Sequence, residues 1–397
     1  MPTTILFVLN NFNDVDHTAP LILRLLEKDT RIVVLCFSDY DLSSDPRICY
    51  FQKLQGYKVI RLPMLASLHR SPSLVKKLIR ESLFNLFFAV FLLRRYKISG
   101  CVYTWCTPRS KGFQTQLFLA ARRLNIANIC LPHGQNIFLN FDVNHHLSAL
   151  YAKTGRWPDF SPRNEFDLYV VQSKHHRDWN ISWGMDPKTI VAWGSMRFTP
   201  SWIKYHLNFF DTYSKLTPLQ DDTVKVVFFI PHWHYNVDVT ATINLIKEIA
   251  GMDNVLLAIK GHTRGDVVSG SDYTYLANLK HVDPDVKTPS SSLIAWADLV
   301  INFGSSIALE AIASRKHVIN PSFLHKNKTV FDQSGAVYDA LSISDVIKLI
   351  DRVRNGDLMP SKLTATNALL NKEVFADKEN YDPTTFYADS LLSICRN

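Results

Sequence analysis

The chain has 397 residues, 47% hydrophobic and 20% charged, which excludes a disordered or fibrous protein and suits two domains of about 150–200 residues each. Its formal net charge of +8 is unevenly shared: residues 1–200 carry 25 Lys+Arg against 14 Asp+Glu, and residues 201–397 carry 19 against 22. The basic half has no RGG run, recognition helix or zinc pattern, so no nucleic-acid partner is expected, and an anionic membrane surface or anionic acceptor fits better.

Six cysteines (Cys36, Cys49, Cys101, Cys106, Cys130, Cys395) form neither a CxxC pair nor a disulfide framework. Reduced buried thiols and a cytoplasmic setting are the expectation. The N-terminus, MPTTILFVLNNF, has no basic leader and no small-residue cleavage site, so it reads as a first strand.

In chain order, 5–9 and 32–37 are apolar runs of strand length with a helical pattern over 20–28 between them, and 59–62 continues the alternation. This βαβ rhythm predicts a parallel sheet covered by helices. Residues 74–97 have an apolar middle (83–93) about half the length needed to span a bilayer, flanked by Lys76, Lys77, Arg80, Arg94, Arg95 and Lys97. Two assignments compete for it, a core helix with charged ends and a helix lying against anionic lipid.

Strands over 100–104 and 126–131 enclose a helix over 114–125, and the second ends at Pro132-His133-Gly134-Gln135. A His-Gly pair at the carboxyl end of a strand puts an imidazole and a closely approachable backbone where α/β proteins bind ligands, although His133 also suits a core position. Residues 140–162 lack periodicity and read as a loop. A strand over 166–172 is preceded by Glu165, and 191–197 ends in a Gly-Ser-x-Arg turn carrying Arg197. The polar stretch 198–222 is the expected domain boundary.

The alternation restarts with 224–230, ending in Pro231-His232-Trp233-His234. Asp238 stands where the next helix (239–250) begins, as an N-cap or as a carboxylate able to act as base or nucleophile. The strand 255–259 ends in Lys260-Gly261-His262-Thr263-Arg264, an anion-binding pattern. Residues 298–302 form a strand, Phe303-Gly304-Ser305-Ser306 a tight turn, and 307–315 a helix. The turn amides suit a phosphate, and Glu310, one helical turn on, suits a sugar diol. A further strand, 317–320, ends at Pro321.

The order LPHGQ, Gly-Ser-x-Arg, a Lys-x-His loop and GSSIALEA resembles bacterial surface-polysaccharide glycosyltransferases, and within them the retaining β-Kdo transferases of capsule and O-antigen assembly. The chain carries KGHTR where many of them carry a Lys-Pro-His-Pro loop. The resemblance covers about residues 100–325. It implies an α/β protein of GT-B architecture, two Rossmann-like domains facing a central cleft. Residues 1–200 would be the acceptor domain, 201–222 a linker and 223–397 the nucleotide-sugar donor domain, with the last helices packing back on the first domain.

It further implies a metal-independent enzyme with no cofactor beyond its donor, CMP-β-Kdo, acting on a glycan or lipid-linked glycan, peripherally on the inner membrane. Asp238 would attack the anomeric carbon, and His133 or Glu165 would take the acceptor proton. Gly304, Ser305 and Ser306 would hold the nucleotide phosphate, Glu310 the ribose, and Lys260, His262 and Arg264 a phosphate or sugar carboxylate. Gly134, Gln135, Arg197 and His232 would line the cleft. A CDP-glycerol-type polyol-phosphate transferase, a nucleotide-sugar 2-epimerase and a non-catalytic polyanion-binding module are the competing readings.

Overall fold

A computed structural model describes residues 2–62, 83–108, 112–216, 223–263 and 265–396. Its apolar runs become strands because a parallel strand is covered on both faces and must be apolar on both. Thus β1 (Thr4–Val8) is buried throughout. With β2 (Arg31–Cys36), β3 (Tyr57–Arg61), β4 (Gly100–Thr104), β5 (Ala127–Leu131), β6 (Leu168–Val171) and β7 (Ile190–Ala192) it forms a parallel sheet of order β3-β2-β1-β4-β5-β6-β7.

A second parallel sheet contains β8 (Val224–Phe229), β9 (Val255–Lys260), β10 (Val282–Asp283), β11 (Leu299–Ile301), β12 (His317–Pro321) and β13 (Tyr338–Ala340), ordered β10-β9-β8-β11-β12-β13. Each sheet reverses its winding once, between β1 and β4 and between β8 and β11. At such a switch point the loops leaving the carboxyl ends of the two strands diverge and leave a crevice.

The chain divides into two compact units: Met1–Gln135 with Pro158–Thr199 and Lys372–Asn397, and Asn136–Trp157 with Pro200–Asn371. The division is less linear than the 1–200 and 223–397 expected. Residues 136–157 belong with the second unit because Phe138 bridges Thr329, and Asn327 Nδ2 donates to the carbonyls of Val143 (3.1 Å) and Tyr235 (2.9 Å). In the first unit the helix Pro383–Arg396 packs on the helix Phe12–Glu27. Within the described part of the expected linker, Pro200–His206 is helical, and Tyr213 Oη donates to Asp283 Oδ2 at 2.9 Å. Asp221 and Asp222 lie outside the described residues.

Two elements differ from expectation. The first helix starts at Phe12, eight residues before the expected Pro20, because Asn11 caps it through the N–H of Asp14 at 3.0 Å; Pro20 is buried inside it. Residues 140–162 contain the helix His145–Thr154, capped by Asn144 and closed by Gly155 at φ +64°. None of its residues is buried, so it carries no apolar stripe to reveal it.

The helix Leu83–Arg95 buries Leu86, Ala89, Leu92 and Leu93 while Phe87 and Phe91 stay exposed. Lys76, Lys77 and Arg80 lie outside the described residues. No helix among the described residues is long and apolar enough to cross a membrane. All six cysteines are free.

Candidate functional site

In the first unit, the first turns of the helix Phe12–Glu27, which follows β1, carry Asp14, Asp16 and His17 to the switch point. Arg47, fully buried, grips Asp45 through Nε to Oδ1 (2.9 Å) and Nη2 to Oδ2 (2.7 Å), and its Nη1 donates to Asp16. Arg197 Nε donates to the other Asp16 oxygen at 2.7 Å. Asp16 is therefore clamped between two guanidinium groups. Burial drives the pKa of His17 down to about 3, with Asp16 opposing and Arg197, His133 and Arg47 reinforcing the shift. Burial also raises Asp14 to about 6 against the N–H of Asn10 and the side chains of Thr104 and Asn11.

His133 follows β5 at this same edge and meets the ring of Trp105 edge-on at 5.8 Å. Trp105 sits at φ +34°, a conformation costly for a bulky residue, and the buried His176 ring is a further neighbour at 5.3 Å. Both His176 nitrogens are without a hydrogen-bond partner among the described residues, and burial keeps the ring neutral. A Cβ at Gly134 would meet nothing within 4 Å, which leaves its backbone open to a ligand. Gln135 is turned to structural use: its Nε2 donates to the carbonyl of Glu373 at 2.9 Å.

Glu165 is not brought to His133. It precedes β6, and its Oε2 pairs with Arg122 at 3.2 Å. In a parallel sheet the starts and ends of strands lie at opposite edges, so Glu165 and His133 are separated by the strand length, on the order of 20 Å at about 3.3 Å per residue. The sequence shows adjacency along the chain but not the edge. It also missed Asp16, His17 and Arg47, although the polar run NNFNDVDH directly after the first strand was a legible signal.

In the second unit, the loops leaving β9, β8 and β11 lie side by side at one edge. The turn after β11 keeps Gly304 at φ +66°, and a Cβ there would lie 3.8 Å from Pro231 Cβ, so the turn sits close to the loop after β8. The helix that follows, Ile307–Ala313, has seven residues, and Ser306 precedes it without a side-chain cap. Asn302 Nδ2 holds the turn through the carbonyl of Ser305 at 3.2 Å. Glu310 is buried at 1% exposure.

Lys260 Nζ donates to the carbonyl of Val286 at 3.0 Å, and burial, helped by Lys287, lowers its pKa. The rings of His232 and His262 are stacked, 5.2 Å apart. Arg264 lies outside the described residues.

Asp238 does cap the helix Val239–Ala250, accepting from the N–H of Ala241 at 2.9 Å. It also lines a cavity of about 540 Å³ with Asp142, His145, Lys326 and His325. His325 stacks on Phe303 at 5.6 Å; both its nitrogens are without a partner among the described residues, and burial lowers its pKa. It is a neutral imidazole on the cavity wall. Sequence reading missed it because the loop after β12 carries no motif.

No family model and no curated protein matches the sequence. Solved structures do match in fold. UDP-GlcNAc 2-epimerase from Neisseria meningitidis bound to UDP-GlcNAc aligns over 98% of this chain and 100% of its own, at 12% identity and TM-score 0.60. The glycotransferase of kitacinnamycin aligns over 99% of both chains, at 10% identity and TM-score 0.55. The apo form of a lipopolysaccharide outer core galactosyltransferase aligns over 98% of this chain and 99% of its own, at 11% identity and TM-score 0.51. With two parallel, helix-covered sheets each wound about a switch point, the chain has the GT-B fold, built from two Rossmann-like domains.

Proposed function

We propose that the protein is a nucleotide-sugar-dependent glycosyltransferase with CMP-β-Kdo as donor and a surface glycan or glycolipid as acceptor. The observation that carries the reading is the edge of the second sheet. There the Gly304-Ser305-Ser306 turn approaches the loop after β8, Lys260 ends the neighbouring strand β9, Glu310 is buried in the helix after the turn, and Asp238 walls a cavity whose His325 stacks on Phe303 beside the turn. Turn amides can accept a phosphate, Glu310 a ribose diol, and Lys260 with His262 a second anionic group.

In the retaining reaction an Asp238 oxygen bonds the anomeric carbon as the carbon–phosphate-oxygen bond breaks and CMP leaves with the electron pair. The acceptor oxygen then bonds that carbon, Asp238 departs as carboxylate, and the acceptor proton passes to a base. His325, neutral and on the same cavity wall, is suited to take it; His133 remains a separate proposal for the first domain. The basic N-terminal half and the exposed Phe87–Phe91 pair support peripheral contact with an anionic membrane.

A second reading, epimerisation of a free nucleotide sugar, is favoured by the fold likeness to UDP-GlcNAc 2-epimerase. Incubation with CMP-Kdo, UDP-GlcNAc and CDP-glycerol, with and without a glycan acceptor, separates the readings. Transfer from CMP-Kdo only with acceptor supports the first, and conversion of UDP-GlcNAc alone replaces it with the second. Thermal shift with CMP, UMP, CDP and GDP gives the nucleotide independently of turnover, and a preference for UMP or GDP removes CMP-Kdo as donor.

A further inference from the structure

His232 and His262 leave neighbouring strands, β8 and β9, and their rings lie nearly parallel, 10° apart. Between them stands Asp266, which the sequence did not single out. Its Oδ2 bonds His232 Nδ1 and lies 3.8 Å from His262 Nδ1. One ligand atom from each residue lies within 4.8 Å of the other two. The three side chains are shielded without being sealed, at 15%, 22% and 15% exposure for His232, His262 and Asp266.

The loop is shaped to hold this trio. The N–H of His262 donates to the carbonyl of Asp266 at 2.8 Å, and the N–H of Gly265, at φ +94°, donates to the carbonyl of His262 at 2.9 Å. A Cβ at Gly261 would lie 2.5 Å from Val267 Cγ1, so a side chain there would force the loop open. Two imidazole nitrogens and one carboxylate oxygen form a borderline donor set that matches first-row divalent ions. Three protein ligands leave a coordination position open, as catalytic sites do and structural zinc sites do not.

We propose that His232, His262 and Asp266 bind one divalent transition-metal ion of the Zn²⁺ class through Nδ1, Nδ1 and Oδ2, with an open position for water or a phosphate oxygen. This departs from the metal-independent site expected from sequence. Binding through His232 Nδ1 requires the tautomer that carries its hydrogen on Nε2, so the ion takes the place of the hydrogen bond between His232 and Asp266. His262 is shared with the anion site of the nucleotide-sugar reading, but the test is independent of that reading because ion binding is measured with no nucleotide present.

The experiment uses the full chain, stripped with chelator and titrated with Co²⁺, followed by competition with Zn²⁺. The expected result is one Co²⁺ per chain with a visible d–d band of low-coordinate nitrogen and oxygen ligation. Zn²⁺ should displace it, and His232→Ala, His262→Ala and the near-isosteric Asp266→Asn should each lose at least tenfold in affinity. Circular dichroism reports whether each variant is folded, and Asp266→Asn keeps the test decisive where an alanine variant is not. Absence of the band in the wild type, wild-type affinity in a folded Asp266→Asn, or a sulfur charge-transfer band placing the ion at a cysteine would each overturn the proposal.

Discussion

The backbone N–H of Asp238 donates to the carbonyl of Leu324 at 2.8 Å, tying the start of the helix Val239–Ala250 to the loop that supplies His325. This bond sets the Asp238 carboxylate in the wall of the cavity while its Oδ1 caps the helix. Capping and catalysis are separable by substitution. Asn caps about as well as Asp, whereas Ala costs about 1 kcal/mol. Asp238→Asn should keep the wild-type unfolding midpoint yet lose turnover by roughly a thousandfold or more, along with the glycosyl adduct expected by intact-protein mass spectrometry. Full turnover in that variant would leave Asp238 a cap and nothing else.

Arg47 is fully buried and satisfied by Asp45 and Asp16. Removing it leaves the buried Asp45 carboxylate without its cation and Asp16 with Arg197 alone, a loss of about 3–5 kcal/mol. Arg47→Lys should recover little, because a lysine has no fork to bind Asp45 twice. Denaturant unfolding of Arg47→Met and Arg47→Lys measures both, and a Lys variant equal to wild type would show that charge alone suffices.

Two buried groups at the first switch point titrate in opposition. Asp14, raised to about 6, contributes stability that is complete below its unfolded value of 3.8 and is lost as pH rises through 6. His17, lowered to about 3, contributes stability present above its unfolded value of 6.5 and lost as pH falls towards 3. Between about 4 and 6 the two slopes cancel in part. Asp14→Asn should therefore make stability climb more steeply over that range, and His17→Gln should flatten it or reverse it. Unfolding midpoints at several pH values read the slopes, and identical profiles for wild type and Asp14→Asn would refute the assignment.

Two glycines at the same edge of the first sheet differ in what a methyl group would meet. At Gly194, φ is +81° and the new Cβ would lie 2.4 Å from the carbonyl oxygen of Val374, so Gly194→Ala should destabilise markedly. The left-handed backbone alone costs about 1–2 kcal/mol. At Gly134 the space is open. Gly134→Ala should leave the melting temperature unchanged and lower turnover by crowding a ligand at the backbone; unchanged turnover would remove Gly134 from the site.

The exposed Phe87 and Phe91, at 70% and 61%, lie one helical turn apart ahead of Arg94 and Arg95. The protein should float with vesicles containing anionic lipid, and the double variant Phe87→Ser with Phe91→Ser should release it. Binding unaffected by the double variant, or no binding by the wild type, would remove this face from the membrane proposal.

Residue pattern along the chain sufficed for the alternation of apolar strands and helices, and with it the two parallel sheets and the polar clusters at strand ends. It could do so because a strand buried on both faces must be apolar along its length, a local property. Positions such as the Asp238 cap and the Gly304 turn were legible for the same reason.

Folding settles which clusters share an edge. It sent Glu165 to the opposite edge from His133, committed Gln135 to Glu373, and brought Asp16 between Arg47 and Arg197. It also set Asp266 between two histidines and His325 in the cavity wall. These contacts join residues separated by up to a few hundred positions, and strand order fixes them. No local pattern encodes that order, because it is settled by how the whole sheet winds about its switch point.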